Sequence, residues 1–136
     1  MLRCLIVDDS PRFLDAARGL LEREGVMVVG VASTGSDAIQ RIRELRPDVT
    51  LLDIDLGTES GFEVSRRIQR ETGPRPSPVI LISTHGEQDL ADLIAASPVL
   101  GFLSKATLSA TAVRDILESR EDLEGTGPEV NEPPGT

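Results

Sequence analysis

The chain is 136 residues long, with a formal charge of −9, one cysteine, and neither tryptophan nor tyrosine. That length supports one hydrophobic core without staples, and a single thiol excludes a disulfide within the chain. The acidic balance argues against non-specific nucleic-acid binding, and with no leader segment and no apolar run of membrane-spanning length a soluble, cytoplasmic protein is expected.

Arg3 to Val7 predicts a buried first strand that ends in the paired acids Asp8-Asp9, with Cys4 inside it as a small hydrophobe. Ser10-Pro11 suits a helix cap with proline in the first turn, and Phe13, Ala17, Leu20 and Leu21 recur at helical spacing until Gly25. Val26 to Ala32 predicts a second strand, and Ala38, Ile39, Ile42 and Leu45 a second helix ended by Pro47. Val49-Thr50-Leu51-Leu52 then runs without a charge into Asp53 and breaks at Gly57, the pattern of a strand buried on both faces. Val64 and Ile68 share one face of a third helix from Gly61 to about Glu71, and the prolines and glycine of Thr72 to Pro76 force a loop.

Pro78 to Ser83 predicts a fourth strand, and Leu90, Leu93 and Ile94 a short fourth helix. Val99 to Leu103 predicts a fifth strand that runs into Ser104-Lys105, followed by a last helix with Leu108, Ala112, Val113, Ile116 and Leu117 on its apolar stripe. Charge then divides the chain: residues 1–119 hold 18 acids against 13 bases, and residues 120–136 five acids against one base. From Glu124 onward there are three glycines, three prolines and one large apolar residue, Val130, too little to repay the entropy of ordering. The expected organisation is a folded domain over 1–119 and a disordered acidic tail over 120–136.

Five β-α alternations in so short a chain imply an α/β fold: a doubly wound, flavodoxin-like, five-stranded parallel sheet in the order 2-1-3-4-5 with helices on both faces. That order brings Asp8-Asp9, Asp53, Ser83-Thr84 and Lys105 to one edge. Three carboxylates together repel unless a cation joins them, and oxygen ligands of this kind suit Mg²⁺. Asp9 and Asp53 would each give one oxygen, Asp8 would hold a bound water, and a backbone carbonyl near Asp55 would complete the set. Lys105 is the one lysine beside thirteen arginines, so at this strand end the chain departs from its own preference in favour of a compact ammonium. With the Ser83 hydroxyl, it suits a phosphoryl group attached to Asp53.

Leu5-Ile6-Val7-Asp8-Asp9, Leu51-Leu52-Asp53, Pro78-Val79-Ile80-Leu81-Ile82-Ser83 and Gly101-Phe102-Leu103-Ser104-Lys105 occur in an order and spacing that resemble the receiver domain of two-component response regulators, over residues 3 to about 118. The resemblance implies that Asp53 accepts phosphate from a sensor histidine kinase or histidine phosphotransfer protein. It implies that Asp8, Asp9, Asp53 and the Asp55 carbonyl support Mg²⁺, that Ser83 and Lys105 contact the phosphoryl oxygens, and that Phe102 reorients as Ser83 moves. It also implies a phosphorelay signalling protein rather than an enzyme, with autophosphatase activity alone and an unknown output protein. No helix-turn-helix output domain is expected after the receiver, so a single-domain regulator without direct DNA binding is the expectation.

Four positions depart from the family's pattern, one of them Asp55, which adds a carboxylate beside the site. Gly57 stands where proline is common, which implies a looser loop, and Ala106 replaces a frequent proline after Lys105, which implies a trans bond. Thr84 is bulkier than usual beside Asp53. His85, the one histidine, is expected in a solvated loop at the pocket rim. Asp53-Ile54-Asp55 also resembles the nucleophile motif of haloacid-dehalogenase-type phosphatases, with Asp55 as general acid/base, but those enzymes need an acidic metal pair after their lysine, whereas here the pair Asp8-Asp9 comes first and Asp115, after Lys105, lies inside a helix stripe. A flavodoxin-like electron carrier shares the strand order, yet Asp8-Asp9 does not suit its phosphate loop and no Trp or Tyr is present to stack a flavin.

Overall fold

The computed structural model describes residues 1–119. The acidic tail expected over 120–136 lies outside the described residues. Strand β1 (Arg3–Val7) leads to helix α1 (Pro11–Arg23), β2 (Met27–Ala32) to α2 (Gly35–Leu45), and β3 (Val49–Asp53) to α3 (Gly61–Glu71). After these come β4 (Val79–Ser83), α4 (Glu87–Ala95), β5 (Gly101–Ser104), a single 3-10 turn (Lys105–Thr107) and α5 over 110–119. The sheet order is β2-β1-β3-β4-β5 with every pair parallel, the doubly wound flavodoxin-like arrangement expected from the sequence.

The central strands are apolar on both sides because both faces are covered. Ile6, Leu51, Ile80 and Ile82 pack with Ala17 and Leu21 of α1 and Val113 of α5. Leu5, Val7, Leu52 and Leu81 pack with Ala38, Ile39 and Ile42 of α2 and Val64 and Ile68 of α3. The period-two alternation of strand side chains separates these clusters. Cys4 belongs to the first, where burial pushes its thiol up to about 12.

Local chemistry sets the helix ends. Ser10, Thr34 and Ser60 accept N–H bonds at the starts of α1, α2 and α3, and Pro11 opens α1 where no N–H is needed. Arg46 closes α2 in the left-handed region, φ 48°, and the Arg3 guanidinium donates to the Leu45 and Arg46 carbonyls at 2.7 and 2.8 Å. At α5, Glu24 from beyond the end of α1 accepts the Ala110 N–H at 2.7 Å.

Two elements show detail that the sequence did not carry. Leu93, one of the three apolar residues that marked this helix in the sequence, is 49% exposed, and α4 has no side-chain cap. In a nine-residue helix, three apolar positions do not decide which face turns inward. The loop after Asp53, expected to be looser because of Gly57, contains a two-residue antiparallel hairpin pairing Asp55 with Ser60 and Leu56 with Glu59. Gly57 takes φ +79° at the first position of its turn, as a II′ hairpin requires. Among the described residues no helix is long and apolar enough to cross a membrane.

Candidate functional site

Register builds the site. Val7 pairs with Leu52, so Asp8 and Asp53 leave adjacent strands side by side. Asp53 pairs with Ile82, so Ser83 projects one step further, and Ser83 pairs with Ser104, which puts Lys105 next. Four strand ends separated by nearly the whole domain thus open into one pocket of about 290 Å³, with Asp55, Gly57, Thr84 and His85 on its lining. A larger groove of about 570 Å³ lies at the opposite edge of the sheet, but Arg75 is its one charged side chain and no set of polar groups converges there.

Within the pocket Asp8 and Asp53 are buried and Asp9 is exposed, and the three present carboxylate oxygens within 4.8 Å of one another. Lys105 Nζ lies 2.6 Å from Asp8 Oδ2 and 3.3 Å from Asp53 Oδ2. The first contact is one of charge rather than an aligned hydrogen bond, and among the described residues Asp8 Oδ2 has no hydrogen-bond partner. Asp8 Oδ1 accepts the Ser10 N–H at 2.8 Å, and Asp53 Oδ1 accepts the Asp55 N–H at 3.2 Å. Burial raises the Asp53 carboxyl to about 6; the Asp55 N–H opposes this, the Asp8 charge adds to it, and Lys105 opposes it. Burial pulls the Lys105 ammonium down, but its close contact with Asp8 and the charges of Asp53 and Asp8 outweigh that, so its pKa is raised overall.

A buried carboxylate oxygen without an aligned donor, beside two further carboxylates, fits a hard divalent cation such as Mg²⁺. Asp8, Asp9 and Asp53 supply the side-chain oxygens for it.

Backbone packing holds Asp53 in place. A Cβ on Gly61 would overlap the Asp53 carbonyl oxygen and come 2.6 Å from Ile54 Cα, and the Gly61 N–H donates to the Ile54 carbonyl at 2.8 Å. Glu59, on the returning arm of the hairpin, accepts the N–H of Gly35 at 2.8 Å and so ties the loop to the first residue of α2. Gly57 lies against Asp9: a Cβ there would be 3.3 Å from Asp9 Oδ2.

The structure therefore brings together Asp8, Asp9, Asp53, Ser83 and Lys105, with Asp55 beside them. Phe102 is half-buried on the α2/α3 side of the sheet, paired in register with Leu81. Thr84 is exposed at the rim. His85 is exposed, as expected, but it also engages Ser83: its N–H donates to Ser83 Oγ at 2.8 Å and its Nδ1 is 3.3 Å from the same oxygen. The Lys105–Ala106 bond is trans. Asp115, which follows Lys105 in the chain, is exposed on α5 and takes no part in the pocket lining. Three features were not drawn from the sequence: the tie from Glu59 to α2, the tight fit at Gly61, and Phe13, whose ring centroid lies 4.4 Å from Lys105 Nζ. The Ser60-Gly61 pair at a helix start was the one available signal.

Residues 4–118 match the family model for the response regulator receiver domain. The chain belongs to that family. It is 38% identical over 96 residues to a protein-glutamate methylesterase/protein-glutamine glutaminase of Hahella chejuensis, an alignment covering 71% of this chain but 26% of that enzyme. With Protein PilH of Pseudomonas aeruginosa it shares 34% identity over 88 residues, 65% of this chain and 72% of the relative. Among solved structures, the signal receiver domain of the putative response regulator NarL from Mycobacterium tuberculosis superposes with a TM-score of 0.74 at 30% identity, covering 88% of this chain and 96% of that one. The alignments span about a quarter to a third of the length of the first curated relatives, so the likeness to those methylesterases is confined to their receiver portion. Receiver domains accept phosphate from histidine kinases or phosphotransfer proteins and bind Mg²⁺ at an acidic pocket, and the acidic pocket is present here. The haloacid-dehalogenase reading finds no support in these relationships.

Proposed function

We propose that this receiver takes a phosphoryl group on Asp53 from a histidine kinase or phosphotransfer protein, in a reaction that needs Mg²⁺, and signals through a change in its surface. The observation that carries the reading is the Asp53 carboxylate: it is buried at a strand end, with the Asp8 carboxylate beside it, a lysine ammonium 3.3 Å from its Oδ2, and an open pocket in front. In the transfer a carboxylate oxygen of Asp53 forms a bond to phosphorus, the phosphorus–nitrogen bond of the donor breaks, and the imidazole leaves and gains a proton.

Mg²⁺, held by Asp8, Asp9, Asp53 and the Asp55 carbonyl, would supply positive charge to neutralise the phosphoryl oxygens. The residues of the chain do the rest. Lys105 pairs a second cation with those oxygens, and the Ser83 hydroxyl leaves its contacts with His85 to donate to one of them. Movement of Ser83 admits Phe102, on the neighbouring strand, to a different packing against α4. That coupling is a population shift, limited by how differently the two conformations bind phosphate. The activity assigned is acceptance and slow self-dephosphorylation, with no turnover of an external substrate and no direct DNA binding.

The test is phosphotransfer from a candidate kinase with labelled ATP. Label on Asp53 alone, lost in Asp53→Ala and in the presence of a chelator, is expected. Label that persists in the variant, or transfer that survives chelation, overturns the assignment.

A further inference from the structure

The same alternation that separates the two core clusters decides where the site's charged groups point. Ile6, Leu51 and Leu103 face α1 and α5, and two residues beyond each lie Asp8, Asp53 and Lys105. These groups therefore share the side of the sheet on which α1 begins. In its first turn α1 carries Phe13, whose ring lies under the Lys105 ammonium, 4.4 Å from centroid to Nζ.

Phe13 is held there by the site itself. Asp8 Oδ1 accepts the Ser10 N–H at 2.8 Å, Ser10 Oγ accepts the Phe13 N–H at 3.3 Å, Phe13 faces Lys105, and Lys105 Nζ returns to Asp8 Oδ2 at 2.6 Å. This closed circuit passes through both oxygens of Asp8. A lysine chain has four rotatable bonds and a strongly hydrated head, and it loses much freedom when confined. Here its side chain is 16% exposed, and the contact to Asp8 Oδ2 lacks hydrogen-bond alignment, so the carboxylate alone does not set the ammonium's direction.

We propose that Phe13 is a positioning residue for Lys105, its ring face holding the ammonium over Asp53 so that it meets the incoming phosphoryl group without reordering. This rests on the reading of Asp53 as the acceptor. A cation among Asp8, Asp9 and Asp53 would compete with Lys105 for Asp8, whereas the ring face would remain and keep the ammonium at the pocket. Phe13→Leu keeps apolar volume at the helix start but removes the π face; Phe13→Trp keeps a π face.

Because Lys105 is the chain's one lysine, selective ¹³Cε labelling gives a single resonance from its ε-methylene. In the parent the Hε protons are expected upfield of their free-lysine position through the ring current, to return toward it in Phe13→Leu, and to stay displaced in Phe13→Trp. Phosphorylation of Asp53 by labelled phosphoramidate at saturating Mg²⁺ is expected to slow about three- to tenfold in Phe13→Leu and to recover in Phe13→Trp. The midpoint of the Mg²⁺ dependence should be the same in all three proteins. Hε protons at the free-lysine position in the parent, or equal transfer rates in the parent and Phe13→Leu, overturn the proposal. So does a slowed rate that Trp fails to restore. A parent that takes no phosphate at all removes the acceptor reading, and the role of Phe13 in transfer with it. The Hε shift then still reports whether ring and ammonium meet, so the two failures are distinguishable.

Discussion

Asp53→Asn removes a buried charge from the fold while leaving an oxygen to accept the Asp55 N–H. Burial raises the Asp53 carboxyl from 3.8 to about 6, and each unit is worth about 1.4 kcal/mol, so the ionised group costs the folded state about 3 kcal/mol as an upper bound. An amide is an imperfect match for a protonated carboxyl, and about 2 kcal/mol of stabilisation at pH 7 is the expected net. The sign follows from the protons. Between 3.8 and about 6 the folded parent keeps a proton that the unfolded chain has released, so its stability falls as pH rises through that window and the loss is complete above it. The variant lacks this fall. The two proteins should therefore be close in stability near the bottom of the window and separate toward neutrality. Urea unfolding followed by far-UV circular dichroism suits a chain without Trp or Tyr, with a chelator present to keep the site free of cations. Adding Mg²⁺ at about a hundredfold over its dissociation constant should return about 2.7 kcal/mol to the parent and less to the variant. A stability difference that stays constant across the window, or a variant less stable than the parent at pH 7, would refute the assignment of burial as the dominant force on Asp53.

Gly61→Ala puts a methyl into the Asp53 carbonyl, where the obstacle is backbone, and a loss of about 2–4 kcal/mol in unfolding free energy is expected. Glu59→Ala leaves the Gly35 N–H at the start of α2 without its carboxylate and should cost about 1 kcal/mol by the same measurement, with Glu59→Gln recovering part of it. For the phosphorylated state, Thr84 and Asp55 are taken as obstacles to the attacking water, so Thr84→Ala and Asp55→Asn should each shorten the phosphoryl half-life under identical Mg²⁺. A half-life that lengthens in both makes these side chains assistants of hydrolysis instead.

The strands were legible because a sheet buried on both faces writes itself as apolar runs: Cys4 to Val7, Val49 to Leu52 and Val79 to Ile82 have no polar face to interrupt them except Thr50. Asp8, Asp53 and Ser83 were legible for the same reason, since each is the first polar residue after such a run, and Asp9 and Lys105 each follow one place later. Short-range rules failed where the decisive partner is distant in sequence. Glu59 meets Gly35 across 24 positions and Glu24 meets Ala110 across 86, and no periodicity encodes either pair. The hairpin after Asp53 was missed because two paired residues on each arm are too few to show alternation, although Gly57 before Thr58 is an acceptable turn for it. Phe13 was assigned to the core by its helical spacing, and it does pack against the α1-side core; its second neighbour, the Lys105 ammonium, depends on how α1 lies across the sheet.

The thiol of Cys4 has a practical consequence. It is 1% exposed, and burial holds its pKa near about 12, so at neutral pH it is neither accessible nor a thiolate. Maleimide reagents should leave the folded parent unmodified, and a cysteine introduced at a surface position would react alone. Spin labels or paired fluorophores can thus be placed on α4 or beside the pocket without first removing Cys4, and distances between them followed as phosphate is added and lost. Modification of Cys4 itself then becomes a clock for unfolding, since the reagent reaches it when β1 leaves the sheet.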